Sequence, residues 1–429
     1  MTIALLFGTL FVCLFIGVPI AFALGVSALT AIYFGTNLPL SIITQKAFTS
    51  LDSFPLLAIP FFMLAGVLMG KGGVSKRLLA LASSLVGWMT GGLSMVTIVA
   101  CMFFAAISGS GPATVAAIGG FMIPAMIARK YEGGFASAVA ASAGSIGVII
   151  PPSIPFVLYG VIGGVSVGSM FLAGILPGLL IGVALLITAY LISRKRGYKP
   201  EAGEASNFEF KEVIRTFWEA KWALLIPVII LGGIYGGIFS PTEAAVVAVV
   251  YAIIIGKFVY KELSWEGLYE SFRQSIVINA TTMIIIGLSV SFAYFMTIEQ
   301  IPGAISGYLT NLSTNPLVIL IAINLLLLVV GMFIDTISAL VVLTPILLPI
   351  VVAVGVDPIH FGVILVANLA IGFITPPLGV NLFVASSVGG VQFERIAVSV
   401  LPFLLAMIIC LAIITFVPAL SMWLPNLYE

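Results

Sequence analysis

The chain has 429 residues, of which 61% are hydrophobic and 8% charged, with a mean hydropathy of +1.27 and a formal net charge of +1. That balance excludes an ordinary soluble domain, and basic residues confined to short loop clusters argue against a nucleic-acid partner. A helical span needs about 20 apolar residues, so there is room for roughly ten crossings plus partial ones. The first apolar run, residues 3–31, has no basic leader and no small-residue cleavage site, and reads as a retained span rather than a signal peptide. A mixed stretch, 37–53, suits an interface. The next span, 55–69, ends at Lys71, Lys76 and Arg77. Excess Lys and Arg mark cytoplasmic loops, so this end faces inward and the N-terminus is expected in the cytoplasm. Residues 74–88 are amphipathic, with Ser75, Lys76 and Ser83 on the polar stripe, and read as an arm on the inner surface.

Two short apolar runs, 91–107 and 113–128, flank Ser108-Gly109-Ser110-Gly111-Pro112 and read as limbs of a re-entrant hairpin spanning about 91–129. It returns to Arg129 and Lys130. A span broken by two prolines, 135–160, crosses outward, and 170–192 comes back to Arg194, Lys195, Arg196 and Lys199. Residues 200–220 are polar and Glu-rich and form a linker between a first half, 1–199, and a second, 221–429. The second half offers spans at 222–239 and 242–257, an amphipathic inner segment containing Lys261, Trp265 and Arg273, and a span at 276–297. A surface arm without Lys or Arg follows at 301–312. Limbs 317–334 and 337–352 then form a second hairpin, about 316–352, around Asp335-Thr336. A second broken span, 358–388, runs inward, and 396–424 closes the chain with its C-terminus in the periplasm.

Two heptapeptides repeat. Ile146-Gly147-Val148-Ile149-Ile150-Pro151-Pro152 and Ile371-Gly372-Phe373-Ile374-Thr375-Pro376-Pro377 are identical at five of seven positions and lie 225 residues apart. At the same offset Pro124 matches Pro349, Ala128 matches Ala353, Gly164 matches Gly389 and Glu132 matches Asp357. Paired prolines remove helical donors and bar the helical conformation just before them, so each segment should break in mid-membrane. Unpaired backbone at that depth is tolerated only under protein or along a cavity. Interrupted spans at matching places in oppositely oriented halves point to a transport site. The expected fold is an all-α polytopic membrane protein of two inverted-topology repeats, each holding a re-entrant helical hairpin and a broken transmembrane helix.

The tips and breaks collect oxygen donors: Ser108, Ser110 and Thr114; Asp335, Thr336 and Ser338; Ser145 and Ser153; Asn368, Thr375 and Asn381. Hard oxygens with unwound carbonyls suit an alkali cation such as Na⁺. The half-helices beginning after each break aim positive ends at the same region and favour a carboxylate. No Lys or Arg sits mid-span, so a bound anion would rely on helix ends, hydroxyls and co-bound cations, which implies cation-coupled uptake. Asp335 is the most central acid and a functional candidate; capping the limb that follows it is a compatible alternative. The Ser-Gly-Ser-Gly tip could instead be a flexible turn. Ser240-Pro241-Thr242-Glu243 fits a capping box, His360 a surface or packing role, and Cys13, Cys101 and Cys410 inert packing. No phosphate loop, zinc-protease motif or nucleophile elbow is present, and nothing suggests an enzyme or an organic cofactor.

Gly331 to Thr336, Leu343-Thr344-Pro345-Ile346-Leu347-Leu348-Pro349, Asp357 to Val363, Ile371 to Gly379, the Ser108 to Thr114 tip and Ser240 to Ala245 together resemble the large membrane subunit of tripartite ATP-independent periplasmic (TRAP) transporters, over essentially the whole chain. The resemblance implies an elevator-type, sodium-coupled importer in the bacterial inner membrane, related in fold to divalent anion/sodium symporters of the ion-transporter superfamily. It implies a small four-helix membrane subunit, expected as a separate chain, and a periplasmic substrate-binding protein delivering an organic acid such as sialic acid or a C4-dicarboxylate. It carries sodium binding to Ser108, Gly109, Ser110, Gly111, Asp335, Thr336, Asn368, Thr375 and Pro376. Ser145 joins that set from its place beside the break, and Ser110, Thr114, Ser153, Ser338 and Asn381 are the candidates for the substrate. A stand-alone sodium/organic-anion symporter and a non-permeating assembly subunit remain as alternatives.

Overall fold

A computed structural model describes residues 2–198, 208–301, 303 and 315–428, and every regular element among them is helical. The first expected span is in fact two helices, α1 (Thr2–Phe15) and α2 (Ile20–Gly35). Gly17 adopts φ +80° and Pro19 starts α2, and together they turn the chain back inside an unbroken apolar run. Thr2 donates to the Gly35 carbonyl at 3.4 Å, so the chain returns to the level at which it began. Then come α3 (Ser41–Leu51), in the stretch expected at an interface, and α4 (Ala58–Lys71), entered through a 3₁₀ turn.

The amphipathic arm is α5 (Val74–Val86), although Ser75 on its expected polar stripe is buried. The arm is tied down by Arg77 and Lys76, which reach Glu262 at 2.8 and 3.0 Å, and by Ser84, 2.8 Å from Thr216. The first hairpin is α6 (Gly92–Ser108) and α7 (Gly111–Ala128), the latter with a π turn at Val115–Gly119. The first broken span is α8 (Gly133–Ser145) and α9 (Ile154–Gly163), and α10 (Val167–Arg196) returns.

In the second half α11 (Phe210–Tyr235) takes in about the last half of the expected linker, whose residues 200–207 lie outside those described. Next, α12 (Pro241–Ile254) opens with the expected Ser240–Glu243 capping box. The inner segment and the following span are one continuous helix, α13 (Trp265–Ile298), capped by Ser264, because no proline interrupts the stretch between them. The second arm, 301–312, lies outside the described residues except for Ile301 and Gly303. The second hairpin is α14 (Pro316–Phe333) and α15 (Thr336–Ala353), followed by the halves of the second broken span, α16 (Pro358–Gly372) and α17 (Val380–Gly389). The expected closing span is divided: α18 (Phe393–Ser399) and α19 (Leu401–Phe416) bend by 48° ahead of Pro402, and α20 (Ala419–Tyr428) starts after Pro418.

The two broken spans lie side by side and antiparallel. The Tyr159 hydroxyl near the end of the first donates to the Pro358 carbonyl at the start of the second, at 2.6 Å. At the other end, Gly389 packs against Ser137 and Gly133 against Val391. This antiparallel pairing is the inverted repeat in three dimensions. Packing divides the helices into two groups. One holds α1 to α4 and α11 to α13, with the arm α5 packed on both α11 and α6; in the other, α10 and α18 pack on the hairpins and broken spans, and α19 and α20 pack mainly on α10.

Candidate ion and anion site

At the first tip α6 ends on Ser108, Gly109 takes the left-handed conformation at φ +62°, and α7 restarts at Gly111 with Pro112 in its first turn, where a missing N–H costs nothing. Ser108 Oγ lies 2.8 Å from Thr114 Oγ1, which donates to the Ser110 carbonyl at 2.8 Å. The tip rests directly on the first break. Ile154 N donates to the Gly109 carbonyl at 3.3 Å, and a Cβ on Gly147 would stand 2.6 Å from both Ser110 O and Thr114 Oγ1. The repeat-related Gly372 meets the second hairpin in the same way, since a Cβ there would overlap the Gly331 carbonyl. Both breaks contain a cis peptide, at Pro151–Pro152 and Pro376–Pro377.

At the second tip Asp335 caps α15: Oδ2 accepts from Ser338 N at 3.1 Å and Oδ1 from Ser338 Oγ at 2.6 Å. The tips and breaks meet around a cavity of about 160 Å³ bounded by Gly109 and Ser110, Asp335 and Thr336, Val148 and Phe373, with Met63 of α4 closing it from the other helix group. Behind this wall Asn381 Nδ2 bridges the halves, donating at 3.1 Å to both Ala141 O and Ser145 Oγ. Its Oδ1 has no hydrogen-bond partner although buried, and it faces Gly111, where a Cβ would be 3.4 Å away. Asn368 Nδ2 is committed to Asn324 O and Oδ1 at 3.1 and 2.8 Å, which leaves a second buried amide oxygen without a partner. A buried acceptor left unmatched costs about 1–3 kcal/mol, and each calls for an explanation. Both are hard oxygens of the type an alkali cation takes, as are the hydroxyls and carbonyls of the tips, so the donor set fits Na⁺.

Other expected donors have their hydrogen-bonding engaged locally. Ser153 donates to Val148 O at 2.6 Å and caps Phe156 N, Ser338 serves Asp335, and Thr375 donates back to Ile371 O at 2.8 Å. Pro376 is half-buried at the second break. Four of the candidates, Gly109, Ser110, Asp335 and Thr336, therefore line the cavity directly, while Ser108, Gly111, Thr114, Ser145 and Asn381 stand in contact with its wall. Asn368 sits a turn back along α16. The sequence reading passed over Met63, Phe373 and Asn324; of these only Asn324, a carboxamide within an apolar limb, carried a signal. His360 is a packing residue, its ring nitrogens 2.6 Å from Ser421 Oγ and 3.3 Å from Thr415 O.

Comparison with known proteins agrees with this architecture. Residues 7–420 match the family described as the DctM component of the tripartite ATP-independent periplasmic transporter. An isethionate TRAP transporter permease protein, DctMQ, of Oleidesulfovibrio alaskensis is 52% identical over 97% of the chain, which spans 65% of that relative's length. The C4-dicarboxylate large permease DctM of Vibrio cholerae is 40% identical over 100% of this chain and 98% of its own. The sialic acid large permease SiaM of the same organism is also 40% identical, over 97% and 96%. Among solved structures, the YdaH transporter of Alcanivorax borkumensis shares the fold, with a TM-score of 0.58 over 87% of this chain and 88% of that one at 15% identity. The chain is a polytopic membrane protein and belongs to the DctM component family of tripartite ATP-independent periplasmic transporters.

Proposed function

We propose that this chain is the large permease subunit of a sodium-coupled importer of a small organic acid anion, working by an elevator movement. The observation that carries the reading is the meeting of both tips and both breaks around one cavity that holds Asp335, is backed by unmatched amide oxygens and contains no cationic side chain. Sodium there supplies the positive charge that an anion needs beside a carboxylate. The cavity is smaller than the roughly 300–1,000 Å³ typical of sites for larger ligands. Its size supports a compact sulfonate or dicarboxylate, the substrates named for two of the three relatives, over a large sugar acid of the kind named for the third. The division into two helix groups supports movement of one past the other. A small membrane subunit and a periplasmic substrate-binding protein are the expected partners in the inner membrane. With the basic loop clusters cytoplasmic, the α1–α2 hairpin returns the N-terminus to the level of Gly35, on the periplasmic side; the C-terminus is periplasmic as well.

Reconstitution of the chain with its membrane partner tests this reading. Uptake of isethionate or succinate should require both inward-directed Na⁺ and the binding protein, and should collapse when K⁺ replaces Na⁺. Equal uptake without Na⁺ would refute coupling, and strong uptake without the binding protein would favour the stand-alone symporter.

A further inference from the structure

A second cavity, of about 290 Å³, adjoins the first and shares Met63 and Ser110 with it. One wall is a single stripe of α4: Met63, Gly66, Val67, Gly70 and Lys71 stand at helical spacing, so the groove follows α4 for roughly 12 Å at 1.5 Å per residue. Across from it α7 presents Ala113, Ala116 and Ala117, small residues that leave the groove open, and α13 contributes Gln274. Lys71 is the one charged residue lining this cavity, at the end remote from the tips. The neighbouring cations Lys76 and Arg77 are both engaged by Glu262, whereas Lys71 makes no ion pair among the described residues. Its ammonium therefore sets the potential of the groove. Lys71 and Gln274 are exposed at the mouth of the groove, where an unpaired cation raises the local concentration of a carboxylate or sulfonate.

The geometry points to an anion subsite at Lys71 and Gln274, on the inner-side path by which substrate leaves the cavity between the tips. This rests on the transport reading above, and it assigns to the helix group of α4 the positive charge that the tips and breaks lack. An anion released from the sodium-loaded cavity passes Ser110, slides along the Gly66 and Gly70 face and is held briefly at the mouth. Lys71 does not take part in sodium binding, so its contribution belongs to release and not to coupling.

The test uses the whole chain with its membrane partner in everted vesicles. A cysteine is introduced as Val67→Cys or, on the facing wall, as Ala113→Cys, and is labelled with methanethiosulfonate reagents carrying a sulfonate or a quaternary ammonium. The native Cys13, Cys101 and Cys410 are buried. The rate ratio of anionic to cationic reagent should be at least about threefold higher with Lys71 than with Lys71→Gln, should be retained in Lys71→Arg, and should shrink in high salt. Isethionate should slow the labelling in the Lys71 background and do so less in Lys71→Gln. An unchanged ratio at both positions, or no reaction at either, would overturn the subsite. Failure of the transport reading is separate, since it would show as sodium-independent uptake by the unaltered protein.

Discussion

Asp335 caps α15 and is proposed to ligate a cation, and substitution separates the two. As a cap its side chain need only accept from Ser338, and Asn ranks with Asp at that position. As a cation ligand it must carry charge. Asp335→Asn and Asp335→Ala should therefore both lower sodium-dependent uptake by about tenfold or more, the effect of losing about 1.4 kcal/mol of cation binding. Only the alanine variant should also lose about 0.5–2 kcal/mol of stability, seen as a lower midpoint of thermal unfolding in detergent. Normal uptake by Asp335→Asn would leave the residue a cap alone. Asn381 permits a parallel comparison: Ser145→Ala removes one acceptor of its bridge, while Asn381→Ala removes the bridge and the unmatched oxygen together. The sodium concentration for half-maximal uptake should rise several-fold in Asn381→Ala and less in Ser145→Ala; equal values would detach the Asn381 oxygen from ion binding. Both tips were legible because Gly, Pro and Asp stand out within apolar runs. The pairing of Asn368 with Asn324 was not, because it joins residues 44 positions apart that only the packed fold brings together.

At the scale of elements, hairpins and breaks fit each other through backbone rather than side chains, and a glycine in each repeated heptapeptide makes that possible. A methyl group at Gly147 would press on Ser110 O and Thr114 Oγ1, and one at Gly372 on Gly331. Gly147→Ala and Gly372→Ala should each destabilise by about 1–3 kcal/mol, the usual cost of overpacking. Gly232→Ala, where nothing lies within 4 Å, should be neutral or slightly stabilising by the same thermal assay. If all three shifted alike, the fit between hairpin and break would not be what these glycines protect. The breaks were readable in advance because paired prolines leave a chain few options. The α1–α2 turn escaped notice since hydropathy does not change across Gly17 and Pro19, and turn geometry rather than composition decides there. The opposite error occurred at α13, where a change from polar to apolar composition suggested two elements, yet nothing in the backbone chemistry ends the helix.

For the molecule as a whole, the proposed elevator movement requires that one set of helices travel together past the rest. The simplest such division gives the moving unit only the hairpins and broken spans and leaves α10 and the C-terminal helices in the fixed frame. Packing supports a different division, in which α10 and α18 to α20 belong with the hairpins and broken spans. The two divisions disagree about the contact between α10 and α11. A Cβ on Gly168 would lie 3.6 Å from Ile234 Cγ2, so cysteines introduced as Gly168→Cys and Ile234→Cys stand within about 5 Å at Cβ, close enough to approach disulfide geometry. Neither position belongs to the cavity between the tips. If α10 moves with the hairpins, oxidising this pair should block uptake and reduction should restore it. As a control, Ala47→Cys with Gly287→Cys links α3 to α13, within one group, where the Cβ separation would be 3.7 Å, and it should leave uptake intact whether oxidised or reduced. Uptake that survived verified cross-linking of the first pair would return α10 to the fixed frame. The relative motion would then have to run between α10 and the broken spans, through the buried contacts that α10 makes with α9 and α16.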